Sequence, residues 1–308
     1  MSLDWDYSLL RSWLFVPGDS ERKLAKALDC GADAVIVDLE DAVVAENKRA
    51  ARGIARDAVK AWNRRGTLVV IRVNALDTGL TWDDISETLA CAPDAYMLPK
   101  VTLPDDIHRV SSHIGGEERR HGRKPGSIRL VPIVTEHPRA VMNLQALCDA
   151  DLRIAAVAWG TEDLSAAVGA RRVKDGRGAL LEPFRTARAL TVFAAAAAGI
   201  ACLDAVVVEI SEFDMLRREA GEGADMGFTG KMAIHPAQVA PINEAFLPDS
   251  EALAEARELL EAGRASAEGA FRLKGRMVDR PHIRMAQRLV ALADAQRLSS
   301  GGQENVRK

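Results

Sequence analysis

The chain has 308 residues, of which 48% are hydrophobic and 28% are charged, and its formal net charge at pH 7 is −3. This balance is that of an ordinary globular protein, and it excludes collagen-like, disulfide-stapled and disordered chains. A net negative charge disfavours nucleic acid as the principal partner but permits local basic patches for a small phosphorylated ligand.

The cysteines and the N-terminus indicate the compartment. Cys30, Cys91, Cys148 and Cys202 show no CxxC or zinc-like spacing, so we interpret them as reduced thiols that pack as small hydrophobic residues. The N-terminus lacks a basic region followed by an apolar run, and no uninterrupted apolar stretch reaches the ~18 residues of a membrane span. We expect a cytoplasmic protein without a signal peptide or a transmembrane segment.

Short apolar segments alternate with amphipathic segments over the first three quarters of the chain. The apolar segments, which are typical of strands buried on both faces, are Trp13–Val16, Ala34–Val37, Leu68–Val73, Ala95–Leu98, Ile128–Val134, Ile154–Ala158, Ala201–Val208 and Lys231–Ile234. The helical segments are Ser20–Cys30, Lys48–Arg64, Trp82–Leu89, Pro104–Ile114, Pro138–Leu147, Leu180–Ala198 and Glu212–Gly223. Eight strands alternating with helices predict an α/β fold, a (β/α)8 TIM barrel. A doubly wound open sheet is the alternative, and the placement of the polar residues favours the barrel.

The pattern becomes helical after the eighth strand. We predict helices over Pro236–Phe246, Pro248–Ala270 and Pro281–Leu298, with Phe271–Arg280 as a connecting segment. The predicted organisation is therefore a barrel over residues 1–240, a helical extension over 241–298 and a disordered polar tail over 299–308.

Charged or imidazole side chains follow six of the eight predicted strands. The carboxyl ends of the strands form the active face of a TIM barrel, so these side chains are candidates for one common site. They lie in Asp38-Leu39-Glu40-Asp41, Arg72-Val73-Asn74, Pro99-Lys100, Thr135-Glu136-His137, Trp159-Gly160-Thr161-Glu162-Asp163 and His235-Pro236.

Among these residues, Glu136 and Asp163 are the strongest candidates for a metal site. They follow neighbouring strands, and two carboxylates that converge there repel each other unless a cation or a shared proton is present. Oxygen ligands without a Cys or His cluster indicate a hard ion, Mg²⁺ first. The alternative is that both residues cap the helices that follow them.

Two arginines have two interpretations each. Arg72 lies within an apolar run, so it either forms a structural ion pair with Asp38, Glu40 or Asp41, or holds a substrate carboxylate or a developing oxyanion. Arg11, which precedes the first strand, either reaches the substrate or lies at the surface.

The ordered set of motifs resembles the HpcH/HpaI aldolase/citrate lyase family, in its citrate lyase β-subunit-like (CitE-like) branch with malyl-CoA and citramalyl-CoA lyases. The matching segments are Arg11-Ser12-Trp13-Leu14-Phe15-Val16-Pro17-Gly18, Asp38-Leu39-Glu40-Asp41-Ala42-Val43, Arg72-Val73-Asn74, Leu98-Pro99-Lys100, Thr135-Glu136, Trp159-Gly160-Thr161-Glu162-Asp163-Leu164, and the run from Gly227 to Gln238, with Gly275-Arg276-Met277-Val278-Asp279-Arg280-Pro281. The resemblance implies that the C-terminal extension is a lid over a neighbouring subunit's site, in trimers or hexamers.

The resemblance also implies roles for individual residues. Glu136 and Asp163 become ligands of Mg²⁺, with Mn²⁺ as the alternative ion, and Arg72, Glu136 and Arg11 contact the substrate. Arg72 and the lid residue Asp279 become the catalytic pair. Behind them Asp38, Glu40 and Asp41 either orient the metal's waters or Arg72, or form a structural salt bridge. His235 is a base or makes a fixed hydrogen bond, and Lys100 meets a phosphate or fixes the loop after the fourth strand.

The implied reaction is Mg²⁺-dependent cleavage or condensation of a 3-hydroxy-dicarboxylyl-CoA thioester, which yields an acyl-CoA such as acetyl-CoA and an α-keto acid such as glyoxylate or pyruvate. The partners are then small CoA thioesters and keto acids, with no nucleic acid and no membrane. Four alternatives stay open: a malyl-CoA-type thioesterase, a citryl lyase subunit acting on an acyl-carrier thioester, a class II aldolase acting on free keto acids, and a non-catalytic binding protein on the same barrel.

Overall fold

The computed structural model describes residues 5–64, 66–266 and 269–304, with the backbone alone for residues 296–304. The chain divides into two compact units, the first ending at Asn243 and the second beginning at Glu244.

The first unit contains eight parallel strands. They are β1 (Ser12–Pro17), β2 (Ala34–Asp38), β3 (Leu68–Arg72), β4 (Ala95–Leu98), β5 (Arg129–Pro132), β6 (Ala156–Ala158), β7 (Ala201–Asp204) and β8 (Gly230–Ala233). β1 pairs with both β2 and β8, so the sheet curls round until β5 and β6 face each other. Two parallel bridges, Leu130 with Ile154 and Ile133 with Ala158, join those two strands. The sheet is therefore a nearly closed barrel, and the predicted TIM-barrel fold is confirmed.

Each strand is a continuous run of apolar residues because its side chains are buried on both faces of the sheet. Every second residue belongs to one buried cluster, as Ile36, Val70, Met97 and Leu203 do, and by the pleat of the strands this set fills the barrel interior. The intervening residues are equally buried because helices cover the outside of the sheet. The strands are thus buried on both faces, as their sequence predicts.

The helices follow the strands in the expected order. Their bounds are α1 (Glu21–Leu24), α2 (Lys48–Ala61), α3 (Thr81–Thr88), α4 (Pro104–Arg120), α5 (Pro138–Val141), α6 (Leu144–Cys148), α7 (Glu162–Ala167), α8 (Glu182–Ala198), α9 (Phe213–Met226) and α10 (Val239–Ala245), which spans the boundary between the units. The helix predicted over 138–147 is split in two. At the break the Asn143 side chain donates to the carbonyl of Arg139 at 2.8 Å, which competes with the helical backbone pattern.

A buried ion network lies on the outer side of β7 and β8. Asp204 accepts hydrogen bonds from Lys231 Nζ at 2.8 Å, from Arg188 Nε at 3.1 Å and Nη2 at 3.0 Å, and from Trp159 Nε1 at 2.7 Å. Burial by itself would raise the pKa of this carboxyl, but the two cations outweigh that effect and hold it below its usual range. A Cβ at Gly223 would lie 2.9 Å from Asp204 Oδ2, so glycine lets α9 pack directly against the network.

The second unit contains α11 (Ser250–Ala265), a hairpin of β9 (Ala270–Leu273) and β10 (Arg276–Asp279), and α12 (Arg280–Glu304). The connecting segment predicted over 271–280 is thus a β-hairpin, and the helix predicted to Ala270 ends at Ala265. Lys274 (φ +47°) and Gly275 (φ +80°) form the two-residue turn that the twist of a hairpin requires. The predicted tail begins within α12, and residues 305–308 lie outside the described part.

Within the ranges described above, no helix is both long enough and apolar enough to cross a bilayer.

Candidate active site at the carboxyl ends of the strands

Asp38 and Arg72 form the base of the site. They are the last residues of β2 and β3, stand directly opposite each other in the parallel register, and continue the interior-facing sets of the two strands. Arg72 Nε and Nη2 donate to the two Asp38 oxygens at 2.7 and 2.6 Å, a bidentate pair. Asp38 also accepts the backbone N–H groups of Glu40 (2.9 Å) and Ala42 (3.0 Å), so it fixes both the guanidinium and the loop after β2.

The remaining edge of the Arg72 guanidinium is directed at other acidic groups. Nη1 lies 3.0 Å from Glu40 Oε2 and 3.9 Å from Asp41 Oδ2, while the Phe15 ring lies 4.6 Å from Cζ. Burial lowers the pKa of Arg72, but the surrounding carboxylates raise it by more, so the side chain is a permanent cation. Both sequence-based interpretations of Arg72 are therefore compatible with the geometry, because its ion pair with Asp38 leaves one edge at the mouth of the barrel.

Lys100 is the second cation of the site. Its Nζ lies 2.7 Å from Glu40 Oε1, 3.4 Å from Asp41 Oδ1 and 3.8 Å from Asp163 Oδ1. Its backbone is in the left-handed region (φ +54°), which is uncommon for a residue with a side chain, and its N–H donates to Glu136 Oε2 at 2.5 Å. Lys100 therefore contacts the acidic residues that follow β2, β5 and β6.

Glu136 is the most perturbed acid of the site. It is 7% exposed, and its pKa is raised to about 8, first by burial and then by the charge of Glu40, with a smaller contribution from Asp163. The Lys100 N–H and the Arg72 charge act in the opposite direction. Gly160 makes room for the side chain, since a Cβ there would lie 3.2 Å from Glu136 Cγ.

The alternative that Glu136 caps the following helix is not what the structure shows. His137 occupies the N-cap position of α5, and its Nδ1 accepts the backbone N–H of Arg139 at 3.1 Å. Asp163 lies in the first turn of α7 after the N-cap residue Thr161, and its side chain is 41% exposed. Neither carboxylate is therefore the side-chain cap of the helix that follows it, and both are directed towards Lys100.

Charge and chemistry make this site suitable for a divalent cation. Five carboxylates (Asp38, Glu40, Asp41, Glu136 and Asp163) meet two cations at one end of the barrel. Glu40 Oε2 is buried, and its partner is the ion-pair contact with Arg72 Nη1 at 3.0 Å without a hydrogen bond; burial raises the pKa of this carboxyl. Across the described residues no three His, Cys, Asp or Glu side chains form a closed metal cage. Mg²⁺ does not need one, because it binds through one or two carboxylates and completes its shell with water and substrate oxygens.

Other predicted site residues lie elsewhere. The assignment of Arg11 to the substrate is not supported, because Arg11 precedes β1 and therefore lies at the opposite end of the barrel. There it forms a bidentate pair with Asp33, with Nε and Nη2 each 2.8 Å from a carboxylate oxygen. His235 caps the turn after β8, with Nδ1 accepting the N–H of Ala237 at 3.2 Å. Asp279 belongs to the second unit.

Phe15 and Lys100 contribute to the site without a definite role predicted from the sequence. Phe15, which packs beneath Arg72, lies within a motif quoted above but had no assigned role. Lys100 carried two interpretations, and the structure gives its ammonium carboxylate partners of the site. The signal that could have placed it is its position directly after β4, at the same edge as the acids.

The fold and the site together define a class of protein, a (β/α)8 barrel whose acidic mouth is built for a hard cation beside a fixed guanidinium. The chain belongs to the family described as HpcH/HpaI aldolase/citrate lyase, whose profile matches residues 11–236. It is 33% identical over 300 residues to the mitochondrial citramalyl-CoA lyase of Rattus norvegicus, covering 92% of this chain and 86% of the relative. It is 32% identical over 303 residues to the L-malyl-CoA/beta-methylmalyl-CoA lyase of Cereibacter sphaeroides, covering 92% and 94%.

A solved structure of a similar protein has the same fold as this chain. The crystal structure of CitE from Mycobacterium tuberculosis in complex with magnesium, acetoacetate and coenzyme A superposes with a TM-score of 0.77 at 31% identity, covering 92% of this chain and 98% of that one. The sequence-based recognition of the family is confirmed.

Proposed function

We propose that this chain is a Mg²⁺-dependent carbon–carbon lyase that cleaves, or in reverse forms, a 3-hydroxy-dicarboxylyl-CoA thioester such as malyl-CoA or citramalyl-CoA. The products are an acyl-CoA such as acetyl-CoA and an α-keto acid such as glyoxylate or pyruvate. The observation that carries the proposal is the excess of carboxylates over cations around Glu136 and Asp163, with the Arg72 guanidinium alongside. The lyase activities of the relatives named above support the same class.

Glu136 and Asp163 would hold the metal ion, with Glu40 close enough to orient its waters. When bound, Mg²⁺ would supply Lewis-acid polarisation of the hydroxyl and carboxylate oxygens of the substrate. The Lys100 N–H holds the Glu136 carboxylate in position for this task, and Gly160, which has no Cβ, leaves room for the Glu136 side chain.

Arg72 would stabilise the negative charge that develops on the thioester oxygen. In the cleavage direction the hydroxyl proton would pass to a carboxylate of the acidic cluster, a keto group would form, and the electrons of the broken carbon–carbon bond would pass into a thioester enolate. A guanidinium already held by Asp38 needs no reorganisation to stabilise that oxygen, which is the condition for large electrostatic catalysis.

Asp279 would complete the reaction from the second unit, which we propose acts as a lid over the site of a neighbouring subunit in a trimer or hexamer. It would protonate the enolate carbon after cleavage, or remove a proton from the acyl group in condensation. A closed lid would exclude water and so prevent wasteful thioester hydrolysis.

The test is a panel of 3-hydroxy-dicarboxylyl-CoA thioesters incubated with Mg²⁺, with release of keto acid, acetyl-CoA and free CoA followed separately. Keto acid together with acyl-CoA is the expected result, whereas free CoA with an intact hydroxy acid would indicate a thioesterase. Asp279→Ala should abolish cleavage and leave Mg²⁺ binding intact. If no thioester is cleaved and calorimetry detects no Mg²⁺ binding, the chain is a non-catalytic barrel.

A further inference from the structure

The junction between β10 and α12 holds a side-chain pair that the proposed reaction does not yet use. Asp279 is the last residue of β10, and His282 follows three residues later in the first turn of α12. His282 Nδ1 lies 2.6 Å from Asp279 Oδ1 and 3.4 Å from the backbone nitrogen of Asp279. Both side chains are partly exposed, Asp279 at 34% and His282 at 49%.

A separation of 2.6 Å requires a proton between the two atoms. An ionised carboxylate only accepts hydrogen bonds, so either the imidazole Nδ1–H donates to Asp279, or a protonated Asp279 donates to a bare Nδ1. In both states one proton is shared between Nδ1 and the carboxylate that is proposed to exchange protons with the substrate.

Among the residues that the structure describes, His282 is the ionisable side chain within ion-pair distance of this carboxylate. Arg264 of α11 and Arg280 of α12 line the same cavity of about 300 Å³ as Asp279. Neither forms an ion pair with Asp279, and β9 places the uncharged Ala270 opposite it. Among the described residues, the salt-bridge partner of Asp279 is His282.

We propose that His282 is the positioning residue and proton partner of Asp279, an inference that rests on the proposed function. Because both residues lie on one strand–helix junction, three positions apart, the pair moves as a unit with the lid and reaches the substrate with its proton already placed.

The contact between Asp279 and His282 also has a purely structural explanation. Asp279 occupies the N-cap position of α12 and His282 the third helical position, which is the arrangement of a capping box. Two substitutions separate the explanations. His282→Gln retains a capping side chain without an ionisable group. His282→Glu supplies the preferred capping partner but sets a second carboxylate beside Asp279. The matched control is Arg284→Gln, which changes an exposed residue of α12 two positions after His282.

The readout is deuterium incorporation into the acyl methyl group of acetyl-CoA in D₂O with Mg²⁺, from pH 5 to 9, alongside the melting temperature of each full-length variant. We expect His282→Gln to slow exchange by about 10- to 100-fold at neutral pH with little change in KM. We expect His282→Glu, which retains a capping side chain, to slow exchange at least as much while keeping the parent's melting temperature, and Arg284→Gln to match the parent in both rate and melting temperature.

Two outcomes overturn the inference in distinguishable ways. If His282→Gln and His282→Glu exchange deuterium with the parent's rate and pH profile, His282 is only a cap, and the role of Asp279 stands. If Asp279→Asn exchanges as fast as the parent, the proposed role of Asp279 fails, and that of His282 with it.

Discussion

Gly160→Ala tests the metal site through a single methyl group. Gly160 lies between β6 and α7, and a Cβ there would lie 3.2 Å from Glu136 Cγ, 3.6 Å from Ile133 Cγ2 and 3.7 Å from Glu136 Oε1. Glu136 is not free to retreat, because Oε2 is held at 2.5 Å by the Lys100 N–H. The added methyl must therefore push the carboxylate by a few tenths of an ångström.

The size of the effect follows from what Mg²⁺ tolerates. Its ligand distances are ~2.0–2.1 Å in close to octahedral geometry, so a shift of a few tenths of an ångström at one of the two proposed protein ligands is substantial. Disturbing the groups that orient metal ligands typically weakens affinity by about 10- to 100-fold, or about 1.4–2.7 kcal/mol. The fold should survive, because Gly160 does not adopt a positive φ.

Calorimetric titration with Mg²⁺ measures the loss of affinity, with thermal melting as the check on folding. The matched control is Gly221→Ala within α9, where a Cβ meets nothing within 4 Å. It should leave Mg²⁺ affinity unchanged and raise stability by about 0.5–1 kcal/mol, as alanine does in a helix. Parent-like affinity in a folded Gly160→Ala would refute the assignment of Glu136 as a ligand.

Three further substitutions probe the charges around the barrel. Arg72→Met leaves buried carboxylates without their cation and should lower the free energy of unfolding by about 3–5 kcal/mol in urea titrations; a loss below 1 kcal/mol would contradict the ion-pair network. Lys100→Gly keeps the backbone N–H and relieves the positive φ but removes an ammonium from the acidic cluster. The repulsion between two unit charges 4 Å apart is about 1–4 kcal/mol, so without the ammonium we expect Mg²⁺ to bind roughly tenfold tighter. Calorimetry measures the affinity, and weaker binding would show that Lys100 and Mg²⁺ do not compete for the carboxylates. The folded protein holds the pKa of Asp204 below its ordinary value of 3.8, so the ionised carboxylate stabilises the fold at pH values above 3.8. This stabilisation is lost as the pH falls below 3.8 and Asp204 takes up a proton. Urea unfolding of Asp204→Asn between pH 7 and 3 should therefore show lower stability at pH 7 and a weaker acid dependence than the parent.

The barrel itself could be predicted from the sequence because its signals are local. Strands such as Ala34–Asp38 and Leu68–Arg72 are buried on both faces, and a run of apolar residues needs no partner to be recognised. The hairpin of β9 and β10 escaped prediction because its turn, Lys274-Gly275, lacks the Asn-Gly or Asp-Gly signature and its strands are largely exposed.

The amino-acid sequence alone determined that acidic and basic side chains gather at one end of the barrel, because the carboxyl ends of parallel strands share an edge. Only the tertiary structure decided how they pair. The register of β2 against β3 sets Asp38 opposite Arg72, and the left-handed backbone of Lys100 turns both its N–H and its ammonium towards the acids. The same holds for Arg11, which directly precedes buried β1 and pairs with Asp33 at the far end of the barrel. Electrostatic partners depend on distances of a few ångström between segments far apart in the chain, and those distances are set by packing.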